Sequence, residues 1–339
     1  MQHSWIKFDK DKETWNSFVE KNSFEFRQLY EWGEYKKKLG WDLLRLVCEK
    51  DNKIEASAQI LVKKSFIVGN VFIPGGICGN IKNLDDSFKR KIQEILQVSF
   101  LYIRIDFTEK EKNLNKECLI KNGFKRPLYM LNSLEYCELD LRKDNAQILS
   151  EAKQKWRYNH KKSLEKEIVL TIETKSEDYI SLNEELTSEW QIRNNFKERE
   201  VVPLIEELGS KLITCTAKDK FGNLLGIRVA VVSGGKAFHL YNAVSKKGRA
   251  YIPGYRLLIF MLDVLRDRGI ENFNIGSTNQ ERFPGPYRFK VGIGYKNSLY
   301  TSLGEWNYTN SLFQEIILNI FIKMYFNSSP FLRKFIKNF

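Results

Sequence analysis

The sequence predicts an α+β fold built twice in tandem, as two domains that are each a mixed twisted sheet flanked by helices. Three observations carry this. The chain has 339 residues, more than one hydrophobic core usually organises. Residues Trp41 to Gly76 and Lys211 to Val244 repeat one pattern of three apolar strands separated by polar turns. After each repeat come an amphipathic helix and a short apolar strand.

The elements follow in order. In the first copy the turn Asp51-Asn52-Lys53 separates two apolar runs, and in the second copy Phe221-Gly222-Asn223 does the same. Turn residues at this spacing favour antiparallel meanders. The stretch from Asp86 to Phe100 carries Phe88, Ile92, Ile95 and Leu96 on one stripe, the helical period, and feeds the strand from Tyr102 to Phe107. The stretch from Pro253 to Gly269 opens on a proline and closes on a glycine, as helices do, and feeds Asn272 to Gly276. Late strands in Gly123–Leu141 and Gly292–Tyr308 correspond in glycine, aromatic and apolar positions. Meander, helix, strand and late strands form the order of the acetyltransferase (GNAT) fold. The basic stretch from Ala146 to Leu170 reads as helical and sets the boundary: residues 1–144, completed by the tail 307–339, and residues 145–306.

Composition bounds the chemistry. The formal charge is +13, from 55 Lys and Arg against 42 Asp and Glu, which favours anionic partners. Five scattered cysteines and three histidines supply neither a zinc site nor a Cys/His nucleophilic pair. The GxxxxGK[ST] phosphate loop and the GxGxxG dinucleotide loop are both missing, so no ATP or NAD cofactor is expected. Unpaired thiols and the absence of an apolar leader predict a cytoplasmic protein. The apolar, then basic, tail after Leu312 adds a minor reading of contact with the inner face of a membrane.

Several stretches then resemble, in order, the FemABX peptidoglycan-bridge aminoacyltransferases. These are Trp32 followed by Lys36; Arg104-Ile105-Asp106; the basic run from Lys155 to Leu170; Arg193 to Arg199; Ser245 to Gly269; and Phe289-Lys290 ahead of Val291-Gly-Ile-Gly, read as a glycine-rich strand. The chain departs from the family pattern at Asn274-Ile275-Gly276 and at Pro74-Gly75-Gly76. The resemblance implies transfer of an amino acid from aminoacyl-tRNA to an amine of a peptidoglycan precursor, UDP-MurNAc-peptide or its lipid-linked form. It also implies roles. Lys290 would stabilise the developing oxyanion, with Phe289 as its packing neighbour and Asp106 accepting or orienting the amine proton. Lys36 and Arg199 would bind phosphate, and Trp32 and Tyr255 would line the substrate groove. His239, alternating within a strand, reads as structural, and His160, among lysines, as solvated.

Two alternatives stay open at this point. One is an N-acyltransferase that uses CoA or another thioester on an amino sugar in surface-polysaccharide biosynthesis. The loop Ser245-Lys-Lys-Gly248-Arg-Ala250 is only half of a CoA pyrophosphate cradle, which weighs against it. The other is a non-catalytic module that holds nucleic acid or lipid through its charge.

Overall fold

The computed structural model describes residues 4–51, 53–173, 175, 177–182, 198–281, 283–294, 298–317 and 320. The chain divides into two compact units, residues 1–132 with 302–339 and residues 133–301.

Unit 1 contains the strands β1 (Ser4–Lys7), β2 (Asp42–Lys50), β3 (Lys53–Ser65), β4 (Val68–Pro74), β5 (Cys78–Gly79) and β6 (Phe100–Lys110). Its helices are α1 (Lys12–Asn22), α2 (Tyr30–Lys38), α3 (Asp86–Leu96) and α4 (Asn113–Lys121). The expected meander is β2–β3–β4, antiparallel throughout. A crossover through α3 then lays β6 parallel to β4, in register from Val68↔Phe100 to Pro74↔Asp106. Asp85 starts α3 by accepting the amides of Ser87 and Phe88. Phe88 and Ile92 are fully buried and Ile95 and Leu96 pack at the core's edge, so the expected stripe is the face that seats the helix. Gln97 turns left-handed and ends the helix at Leu96, short of Phe100.

Unit 2 contains β7 (Glu135–Asp140), α5 (Asn145–Glu151), α6 (Gln154–Leu164), β8 (Val169–Ile172), α7 (Glu198–Leu208), β9 (Leu212–Lys218), β10 (Leu224–Ser233) and β11 (Lys236–Val244). It continues with α8 (Gly254–Asp267), β12 (Asn272–Ser277) and α9 (Pro284–Ile293). The meander β9–β10–β11 is antiparallel, and α8 carries the chain to β12, parallel to β11. The duplication read from the sequence is therefore a duplication of topology. Each unit has a separate buried core, one around Ile60, Ile73, Phe88 and Ile105, the other around Leu258, Met261, Leu262 and Phe273.

Three expectations change. The late strands do not stay with the copy that precedes them in the chain. β7, which ends the first copy, pairs with β12 in unit 2. The last strand, β13 (Leu299–Thr309), pairs with β7 through its first three residues and with β6 from Ser302 onward. This is why the division falls at residues 132/133 and not at 144/145. The basic stretch is also not one helix. Ala152 and Lys153 are extended, which separates α5 from α6, and residues from Val169 onward enter β8. The break lets the Lys153 amide bond Gly292 O while Trp156 is buried. Finally, Val291 to Ile293 continue the helix α9, so the Phe289-Lys290 pair sits within a helix and not ahead of a strand.

Within unit 1 the interior contains a buried ion pair. Arg104 on β6 donates to Glu305 on β13, whose second oxygen accepts the amides of Leu131 and Asn132 at 2.8 and 2.6 Å. Removing one partner of such a pair strands the other charge in the core. Glu305→Ala is expected to destabilise unit 1 by roughly 3 kcal/mol in chemical denaturation, far more than a surface substitution.

Candidate active site

The two units treat the same strand junction differently. In unit 1 the parallel pair β4/β6 stays zipped through Pro74↔Asp106. In unit 2 the parallel pair β11/β12 holds only Lys236↔Asn272, Ala237↔Phe273 and Phe238↔Asn274, and then the strands part. The sequence reason lies in β12. Asn274, almost fully buried, accepts the Gly276 amide at 2.8 Å on its own side-chain oxygen and donates to the Tyr300 hydroxyl at 2.9 Å. That bond closes a bulge at Ile275, seen as a register shift against β7 between Asn274 and Gly276. The Asn274-Ile275-Gly276 stretch thus has a structural use.

A cavity of about 360 Å³ occupies the opening. Its walls include Arg228 from β10, His239 and Asn242 from β11, Ile275 from the bulge, Tyr255 from the first turn of α8, and Phe289 and Lys290 from α9. Glycines let α9 approach. A Cβ on Gly292 would lie 2.8 Å from Trp156, and one on Gly294 would lie 2.4 Å from the Cys137 sulfur. The glycine-rich run therefore serves close packing of a helix. Trp156, Tyr255 and Phe289 form an aromatic cluster with centroids 5.0 to 5.7 Å apart. Ile252, also in the wall, holds a φ of 47°, a strained setting for a β-branched residue that turns the chain into α8.

Lys290 is half-buried and donates to Ser277 O at 2.9 Å. Gly276 makes room, since a Cβ there would lie 3.0 Å from the lysine nitrogen. Burial, and secondarily the Arg228 charge, pull the amine down to about 8. Arg228 is 5% exposed; its Nε has no hydrogen-bond partner among the described residues, and burial lowers it to about 10. The His239 Nδ1 is likewise enclosed without a partner among the described residues, and burial holds the ring neutral, well below its usual range. A neutral imidazole near two cations can accept a hydrogen bond.

Lys290, Phe289 and Tyr255 come together in unit 2, and Trp32, Lys36 and Asp106 belong to unit 1. Trp32 and Lys36 lie on α2 in unit 1, with the lysine nitrogen 4.7 Å from the Trp32 and Tyr35 rings. Asp106 is buried in unit 1, where one oxygen accepts from Arg27 at 2.7 Å and from Asn132 at 3.0 Å. Its other oxygen has no partner among the described residues. The side chain of Arg199 lies outside the described residues. Sequence reasoning missed Arg228, although a single charge within Leu224-Leu-Gly-Ile-Arg-Val-Ala-Val-Val was a usable signal, and it read His239 as structural.

On the same unit, α6 exposes Lys155, Arg157, Lys161 and Lys162. In the loop before α8, the Ser245 hydroxyl accepts the Gly248 amide at 3.0 Å and Ser245 O accepts the Arg249 amide at 3.1 Å. Two of the amides that could cradle a pyrophosphate are thus used within the loop. Among the described residues no group of three metal-ligating side chains occurs and no helix is long and apolar enough to cross a membrane.

The sequence matches no protein-family model and no curated protein. The fold is similar to that of FemX, with a TM-score of 0.79 at 15% identity over 93% of this chain and 100% of the other. It is also similar to L-PGS from Bacillus licheniformis (0.58, 13% identity, 94% and 97%). A tandem GNAT protein from the clavulanic acid biosynthesis pathway is a further likeness (0.52, 10% identity, 91% and 99%). At these identities the likeness establishes the fold, a tandem GNAT-like α+β architecture.

The depressed lysine has a measurable signature. Because its folded value lies below 10.5, the folded state carries an ammonium burial penalty in full below pH about 8. The penalty fades as pH rises from about 8 to 10.5, so stability increases across that window. Lys290→Met is expected to melt above the parent protein at pH 7, with the gap closing towards pH 10.5 in thermal scans.

Proposed function

We propose that this chain is an aminoacyltransferase of the FemX kind, moving an amino acid from aminoacyl-tRNA to an amine of a peptidoglycan precursor, UDP-MurNAc-peptide or its lipid-linked form. The observation that carries the reading is the cavity in the opened β11/β12 junction, with the Lys290 amine set into its wall. The exposed cations of α6, on the same unit, suit the phosphates of an RNA acceptor stem. The similarity to FemX agrees with this reading, as do the ordered stretches that resemble its family.

The reaction follows from the parts. The acceptor nitrogen attacks the ester carbonyl, a C–N bond forms, the C–O bond to the terminal ribose breaks, and the proton shed by the nitrogen ends on the departing ribose oxygen, which leaves as a hydroxyl. The Lys290 ammonium, fixed by Ser277 O, offers its remaining N–H bonds to the carbonyl oxygen as it gains charge. In the proposed arrangement neutral His239 is a candidate to accept a hydrogen bond from the attacking nitrogen.

The alternative donor, acyl-CoA on an amino sugar, has the tandem GNAT likeness in its favour and the internally bonded Ser245–Arg249 loop against it.

Purified protein supplied with charged tRNA and precursor should form the amide, and ribonuclease should abolish it, while acyl-CoA should yield nothing. Product from acyl-CoA alone would replace this reading with the alternative. Lys290→Ala should lower kcat about a hundredfold or more with KM little changed. The rate should fall above pH about 8 as the ammonium loses its proton. Parental turnover by Lys290→Ala would remove the lysine from the mechanism.

A further inference from the structure

The cavity in unit 2 is electrically one-sided. Arg228, Lys290 and Arg249 line it, and no Asp or Glu does so among the described residues. Arg249 and Asn242 are exposed and mark the open end, whereas Arg228, at 5% exposure, marks the closed end. The centre of the Arg228 guanidinium lies 5.5 Å from the Phe289 ring, and no ion pair to it occurs among the described residues. An unpaired guanidinium in a protein interior is strongly destabilising unless a ligand completes it. The first turn of α8 adds to the same sign, because Pro253, Gly254 and Tyr255 line the cavity and no side chain caps the helix.

We propose that Arg228, with Lys290, forms an oxyanion subsite at the closed end of this cavity, so that the ligand places a carboxylate or phosphate there and not a free ammonium. The inference deepens the proposed function and rests on its reading of this cavity as the donor pocket. A guanidinium binds either oxyanion by paired N–H donors, and the surrounding Ile275 and Phe289 exclude water that would weaken the contact. An α-ammonium would meet two cations at that depth, so the amino group of a transferred residue must point to the open end. Two sources supply the oxyanion: the phosphate of a terminal nucleotide, or an acidic side chain on the transferred group.

Isothermal calorimetry at fixed ionic strength separates the cases, using glutarate, adenosine 5′-monophosphate and hexylammonium with the parent protein, Arg228→Gln and Arg228→Lys. Binding of at least one anion is expected, weakened about tenfold or more in Arg228→Gln and partly restored in Arg228→Lys. Glutarate alone would identify an acidic transferred group, and adenosine monophosphate alone a nucleotide end. Anion binding that survives Arg228→Gln unchanged, no anion binding, or preferred binding of hexylammonium would overturn the subsite. Folding provides an independent reading. An unpaired buried guanidinium should leave Arg228→Met more thermostable than the parent, and a lowered midpoint would mean that the arginine is structural. Calorimetry reads binding and not transfer, so failure of the charged-tRNA assay would sink the proposed function while leaving this result standing.

Discussion

The geometry of unit 2 depends on where two parallel strands stop pairing. A parallel pair bridged by a helix is held by evenly spaced backbone bonds, and nothing in the repeat itself tells it to open. Asn274 supplies the instruction. By satisfying the Gly276 amide from its own side chain, it removes that donor from the ladder and forces Ile275 out of register. The carbonyl of Ser277 then faces α9 and receives the lysine. One amide side chain thus couples strand register, cavity and amine. In unit 1 the corresponding strand runs Arg104-Ile105-Asp106-Phe107 without such a side-chain clamp, and the pair remains closed.

Much of the fold was legible because it rests on periodicity and turn chemistry. Phe88 and Ile92 sit at helical spacing, Pro253 and Gly269 bracket α8, and Gly222 turns left-handed at a φ of 83° between two apolar strands. These are local signals, and local signals survive without coordinates. The exchange of late strands was not legible. β7 and β13 each carry buried apolar residues, and an apolar strand pattern specifies which residues are buried but not which neighbour is chosen. The split between α5 and α6 depends on Gly292 accepting Trp156 from the far end of the unit, a contact with no local mark.

The site was half legible for the same reason. Phe289 and Lys290 were singled out through an ordered resemblance, and Tyr255 as an aromatic expected to line the groove. Arg228 was missed because its meaning depends on its neighbours, a tertiary property: among the described residues its Nε has no hydrogen-bond partner. Asp106 shows the converse. It carries the residue type that catalysis would use, yet its environment supplies Arg27 and Asn132, a pairing that fixes a carboxylate in place.

The path of β13 has a consequence for the order of assembly. Unit 2 is a continuous segment, complete once residue 301 has emerged from the ribosome. Unit 1 is not: its sheet lacks its final strand, and Arg104 lacks Glu305, until the chain has been made past residue 305. The domain that is synthesised first is therefore the one that closes last, and through most of translation it presents β6 with an unpaired, largely apolar edge. Until β13 has been made, that edge is a surface on which the nascent chain can mispair.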